Sequence, residues 1–393
     1  MKEVTHMTAE QARRSRAVEF FRWLIRPFIR RKFNYQFDRL PELGGPCLLL
    51  CNHNTDYDPI LVSLACPKPV RFVASEHIMR SGLGAWFLKR YFAPIIHTKG
   101  VMGLKSTMEI LHALRDGDNV GIFAEGNRSF NGVTGSIPPV TGKLAKKTGM
   151  PLVTYRLEGG YFTQPRWGKT FRRGRLVGHL VNVYSPEKLA EMKADEVQEA
   201  ICRDLHEDAY AVQSAQPVAF RGRNLALGME AAIFTCPKCG KIGTLTTDAK
   251  HLLCTCGFAA EYTEYGELVE PDGTKHTVTE LDASQRGQLA ETVRTADSDT
   301  PLFSDEVTAF EIGADHQSVS THTGVLTAYR DRVSFDGSEI LPDALSGVAV
   351  HSRNTLTVHL GPQAVQYEIK GGDCFCALKY VYLHRIVTEK ELF

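Results

Sequence analysis

The chain of 393 residues contains no window of eighteen uninterrupted apolar residues, which argues against a transmembrane helix. It also lacks anything resembling a secretory signal peptide, so the expected setting is a reducing, cytoplasmic compartment. Of its ten cysteines, six show no disulfide framework. Net charge is nearly absent as well, at +1. That neutrality hides strong polarity along the chain. Residues 1–40 carry ten Lys and Arg against four acids, and residues 143–175 carry nine against Glu158 alone. From 261 to the end, ten basic residues face twenty-two acidic ones, a net charge of −12.

The most informative stretch is Cys51-Asn-His-Asn-Thr-Asp-Tyr-Asp58-Pro, which follows an apolar run that reads as a strand. It places a proton acceptor, His53, and a carboxylate, Asp58, four intervening residues apart. Such a pair can deprotonate a hydroxyl and hold the resulting imidazolium. No Ser or Cys stands in a nucleophile elbow beside it, so direct attack by the hydroxyl, without a covalent enzyme intermediate, is expected. About seventy residues on, Gly121-Ile-Phe-Ala-Glu-Gly-Asn-Arg-Ser129 reads as a second strand entering a Glu-Gly turn and an arginine.

In this order the pieces resemble the glycerolipid acyltransferases, the family that includes the lysophosphatidic acid acyltransferases. His53 and Asp58 match the family's first block in full. Ala93-Pro-Ile-Ile-His-Thr-Lys99 matches the second loosely, with Lys99 at the usual arginine. Phe123-Ala-Glu-Gly-Asn-Arg-Ser129 matches the third, and Met150-Pro-Leu-Val-Thr154 the fourth. The resemblance covers roughly residues 40–215. It implies transfer of a fatty acyl chain from an acyl-CoA or acyl-ACP thioester to a lysophospholipid hydroxyl. The expected acceptor is 1-acyl-glycerol 3-phosphate, and the product phosphatidic acid. His53 would be the base and Asp58 its partner. Arg128 and Lys99 would clamp the acceptor phosphate, with Glu125 and Gly126 in the acceptor site.

Apolar runs predict strands at 47–51, 70–74, 94–96, 120–123 and 152–155, and helices at 59–65, 82–91, 105–115 and 141–148. The alternation implies an α/β fold, a mostly parallel sheet with helices on both faces. Lys143, Lys146, Lys147, Arg166, Lys169, Arg172, Arg173 and Arg175 suggest a docking surface for phosphopantetheine, a carrier protein or lipid head groups. In residues 1–39, Arg22, Arg26 and Arg30 recur at helical spacing while Phe20, Phe21, Trp23, Leu24, Ile25 and Phe28 fill the remainder. This predicts an amphipathic helix on an anionic phospholipid membrane surface, peripheral to the inner face, with Pro27 kinking or ending it. A helix packed on the domain is the alternative.

Beyond the acyltransferase region, expected at 40–230, Cys236-Pro-Lys-Cys239-Gly and Cys254-Thr-Cys256-Gly lie fourteen residues apart. Two such knuckles predict a zinc ribbon over 231–265, with His251 as substitute ligand and a closed, structural zinc. A linker with a helix at 282–294 is expected over 266–300. Residues 301–393 then show short alternating segments at 324–329, 332–335, 346–351, 355–360 and 363–369, and a final helix at 374–387. This antiparallel β domain capped by a C-terminal helix resembles a pleckstrin-homology-like domain; a generic β-rich accessory domain is the alternative. Its acidic character makes a nucleic-acid partner unexpected. The competing function is an inactive, zinc-stabilised scaffold, or an acyltransferase for another lipid acceptor.

Overall fold

The computed structural model describes residues 8–75, 90, 92–97, 104–313, 317–361, 365–372 and 374–388. The chain forms two compact units. The first comprises Met1–Pro165 and Arg173–Val218, the second Arg166–Arg172 and Ala219–Phe393.

The first unit is built on seven strands, β1 (Tyr35–Phe37), β2 (Leu48–Cys51), β3 (Val70–Ser75), β4 (Ile95–His97), β5 (Asn119–Phe123), β6 (Leu152–Glu158) and β7 (Leu176–Tyr184). Their order is β1-β7-β6-β2-β5-β3-β4. All neighbours are parallel except β6 and β7. Flanking helices are α1 (Ala9–Phe33), α2 (Asp58–Ala65), α3 (Leu104–Arg115), α4 (Val140–Thr148), α5 (Gly160–Thr163), α6 (Pro186–Glu191), α7 (Ala194–Leu205) and α8 (Ala209–Ala215). The expected α/β architecture is therefore present. The helix expected at 82–91 lies almost wholly outside the described residues.

Every residue of β2 is buried. Leu48 and Leu50 join a core with Ile110 and Leu114 of α3, Leu144 of α4 and Val197, Ile201 and Leu205 of α7. Side chains alternate along a strand, so Leu49 and Cys51 take the opposite face. A strand buried on both faces has to be apolar throughout, which is why 47–51 is a continuous run.

Helix α1 runs through Pro27 instead of ending there. Ile29 and Phe33, beyond the proline, are buried, and their packing holds the chain helical past the missing N–H. The expected arrangement of arginines on α1 is corrected at Arg22. Arg22 turns inward and donates to the Ser63 and Cys66 carbonyls near the end of α2. The exposed large apolar side chains are Phe20, Trp23, Leu24 and Phe28, with Arg30 and Arg31 also exposed. No described helix is long and apolar enough to cross a membrane.

The second unit contains two antiparallel sheets. Strands β8 (Leu245–Thr247), β9 (His251–Cys254), β10 (Ala259–Tyr262), β11 (Leu268–Val269) and β12 (Lys275–His276) form a meander in sequence order. Helix α9 (Val278–Thr295) follows, opened by a Thr277/Glu280 capping box. The larger sheet comprises β13 (Phe303–Ile312), β14 (Ser318–Ala328), β15 (Val333–Phe335), β16 (Ser338–Ile340), β17 (Leu345–His351), β18 (Thr355–Leu360) and β19 (Val365–Gly371). Its order is β16-β15-β14-β13-β19-β18-β17. Helix α10 (Ala377–Val387) closes the chain's described part, and its buried Lys379 pairs with Asp305 at 2.8 Å.

Two arginines expected on a basic docking surface are instead interior to this unit. Arg172 is 1% exposed, with its guanidinium over the rings of Trp167 at 4.9 Å and Tyr262 at 5.0 Å. Arg166 donates to the carbonyls of Val350 and Ser352. Arg172 is recruited by flat aromatic faces and Arg166 by carbonyls at a strand end, partners that a count of charges does not reveal. In the first unit, Lys146 is likewise engaged, donating to the carbonyls of Leu189 and Ala190 in α6 and of Met192 just beyond it.

Candidate active site

Strands β2 and β5 are parallel neighbours with Cys51 opposite Phe123. The residues that follow them, His53 and Glu125, therefore emerge side by side at the carboxyl edge of the sheet. Sites of α/β folds form there because the chain leaves the ladder and exposes side chains and backbone donors.

The His53 ring stacks on Phe123 with centroids 4.5 Å apart. Its Nδ1 lies 2.9 Å from Asp58 Oδ2. Asp58 is fully buried at the start of α2, followed by Pro59 in the first turn. It also accepts from the Asn54 and Thr55 backbone N–H groups at 2.6 and 2.9 Å, and from Thr55 Oγ1 at 2.5 Å. Four donors on one carboxylate fix its orientation and that of the ring. The ring donates Nδ1–H in this geometry, which leaves the Nε2 lone pair free to accept a proton. Lys32 of α1 supports the same turn, with Nζ 3.2 Å from the Tyr57 hydroxyl.

Glu125 is half-buried beside this pair. One carboxyl oxygen accepts the His53 backbone N–H at 2.7 Å and the other accepts the Gly135 N–H at 2.6 Å. Burial pushes its carboxyl up to about 8 even though both backbone donors favour the charged form. Gly126 sits at φ +68° with no atom close to where a Cβ would stand. Its role is thus the left-handed turn itself. Arg128 has a side chain only 12% exposed, and lies 3.4 Å from Asp56 of the first loop. Lys99 lies outside the described residues. Three neighbouring residues were not singled out from the sequence: Asn52 and Asn54, which flank His53, and Glu207, to which both donate. The signal available was two polar side chains directly after a fully apolar strand.

In the second unit, the Sγ atoms of Cys236, Cys239, Cys254 and Cys256 lie within 4.8 Å of one another. Cys236 and Cys256 are 3.7 Å apart, Cys239 and Cys254 3.9 Å. A tetrahedral zinc with Zn–S bonds of about 2.3 Å requires S···S edges of about 3.8 Å, so the donor set fits. Gly240 and Gly257, at φ +71° and +86°, close the two knuckle turns. His251 faces Asp248 instead.

Residues 32–158 match the Acyltransferase family model. The chain is similar to the crystal structure of the 1-acyl-sn-glycerophosphate (LPA) acyltransferase PlsC from Thermotoga maritima. Identity is 20% and the TM-score 0.42, over 51% of this chain and 82% of that one. No curated protein matches the chain. The family match spans the His53–Asp58 pair and the Glu125–Arg128 turn, as the resemblance to the glycerolipid acyltransferases implied, and the first unit thus carries an acyltransferase domain.

Proposed function

We propose that the first unit moves a fatty acyl chain from an acyl-CoA or acyl-ACP thioester to a lysophospholipid hydroxyl, with 1-acyl-glycerol 3-phosphate as acceptor and phosphatidic acid as product. The observation that carries this reading is the 2.9 Å approach of His53 Nδ1 to Asp58, which leaves Nε2 as the proton acceptor. Nε2 takes the hydroxyl proton as the oxygen attacks the thioester carbonyl. Asp58 stabilises the imidazolium. The tetrahedral intermediate then expels the thiolate, which recovers the proton from His53. Arg128 and Lys99 bind the acceptor phosphate. Glu125 shapes the acceptor site by holding His53 and Gly135, and Gly126 turns the loop toward it.

The four cysteines bind one structural zinc, a reading supported by their tetrahedral spacing. All four positions are protein ligands, so no open position remains for chemistry. Residues 231–265 form the ribbon proper and 301–393 a pleckstrin-homology-like accessory domain, which is supported by seven antiparallel strands followed by one helix. Helix α1 rests on the inner face of a phospholipid membrane. Phe20, Trp23, Leu24 and Phe28 support this, being 64, 71, 57 and 60% exposed on one face.

The test is product formation by the purified chain, given acyl-CoA or acyl-ACP and a panel of lysophospholipids and glycerol phosphates. Phosphatidic acid from 1-acyl-glycerol 3-phosphate supports the reading. Acylation of a different acceptor corrects the substrate, and silence across the panel from folded protein refutes the activity.

A further inference from the structure

We infer that Glu207 is a positioning residue for His53, acting through the two asparagines on either side of it. The inference rests on the acyl-transfer reading. Glu207 stands between α7 and α8, outside the residues matched by the family, and is 3% exposed. Its Oε2 accepts from Asn52 Nδ2 at 3.0 Å and from Asn54 Nδ2, and its Oε1 accepts from the Gly159 N–H at 3.3 Å. The same two amides donate to the Leu157 carbonyl at 2.9 and 3.1 Å. Asn52 Oδ1 in turn accepts the Leu157 N–H at 2.7 Å. Asn52 thus extends the pairing of β2 with β6 by one side chain, where the backbone ladder stops at Cys51 and Tyr155.

Glu207 is itself held. The Thr134 N–H donates to the Glu207 carbonyl at 2.9 Å, and the Glu207 N–H to Thr134 Oγ1 at 2.8 Å. The next residue, Gly135, donates to Glu125, which accepts from His53. Two carboxyls, Glu125 and the buried Glu207, therefore hold the His53 turn, and both are tied to the Thr134–Gly135 segment. Gly160 closes the remaining space, since a Cβ there would stand 2.7 Å from that of Asn54. Rotating either asparagine would leave buried amide hydrogens unsatisfied, so the turn has one arrangement. A small displacement of a proton acceptor from its hydroxyl lowers the rate steeply.

Glu207→Leu removes the acceptor at similar volume, and Glu207→Gln keeps one oxygen for both asparagine amides. We expect kcat to fall at least tenfold in Glu207→Leu with the acceptor KM within twofold of wild type, and most of kcat to return in Glu207→Gln. A folded Glu207→Leu with kcat within twofold overturns the inference, as does equal loss in both variants. If Glu207→Leu does not fold, Asn54→Ala cuts the same link from the loop side. A tenfold fall in kcat is then expected, and a change below twofold overturns it. The His53 Cε1–H resonance, assigned by its loss in His53→Ala, gives a readout independent of activity. It should shift or split in Glu207→Leu and return in Glu207→Gln; an unmoved resonance overturns the inference. A wild-type protein that acylates nothing defeats the acyl-transfer reading alone, because the resonance still decides the position of His53.

Discussion

The Arg128 guanidinium lies 3.4 Å from the Asp56 carboxylate, so the cation proposed to hold a substrate phosphate already faces an anion from the His53 loop. Asp56 is 62% exposed and can swing away, but an incoming phosphate has to compete with it. A pair of this exposure is worth about 0.2–1 kcal/mol. Asp56→Asn should therefore lower KM for a phosphate-bearing acceptor by about 1.4-fold to fivefold. A neutral acceptor without phosphate, such as a monoacylglycerol, should be unaffected. Initial rates over a range of acceptor concentrations check this, and a raised KM would contradict it.

A structural zinc makes the second unit sensitive to chelation. Elemental analysis of purified protein should give about one zinc per chain. Cys236→Ser should lose the metal and lower the melting temperature, because metal binding and folding are coupled. Full stability in a metal-free preparation would contradict the assignment.

The two neighbouring arginines Arg172 and Arg173 should behave oppositely. Arg172 packs against the edge-to-face pair of Trp167 and Tyr262 and donates to the Leu225 carbonyl, whereas Arg173 is exposed. Arg172→Ala should cost about 2–4 kcal/mol of stability through the cavity and the orphaned carbonyl. Arg173→Ala should change it by less than about 0.5 kcal/mol. Urea unfolding of the two variants is the comparison.

Glu125 and Glu207 give stability a pH dependence of known sign. Burial raises both carboxyls from 4.5 to about 8, and the neighbouring carboxylates Asp58 for Glu125, and Glu158 and Glu125 for Glu207, push in the same direction. The folded chain therefore binds more protons than the unfolded one between those values. Stability should fall as pH rises from 4.5 to 8 and level off above it. Glu207→Gln should flatten this slope in denaturant titrations, and an unchanged slope would contradict the assignment.

What the sequence revealed depended on whether the partners were local. His53 and Asp58 share one turn, so their spacing alone announces the pair, and the apolar runs of β2 and β5 belong to strands buried along their whole length. Strand β7, with a mixed burial pattern along its length, carries no such run. Glu207 was not legible because it meets Asn54 across 153 residues of chain. The four cysteines were legible because metal ligation imposes spacing on the sequence itself. Arg172 misled for the converse reason: a guanidinium held by two rings and a carbonyl looks, in sequence, like any other surface charge.

The account turns on His53 as the base, and its most direct test is the rate of acyl transfer by purified His53→Ala beside wild type, on the acceptor that wild type uses. Removing a general base costs about 10²–10⁴-fold. A loss of that size, with the melting temperature and zinc content unchanged, is the predicted result. A folded His53→Ala protein that still transfers the acyl chain at a rate near wild type would contradict it.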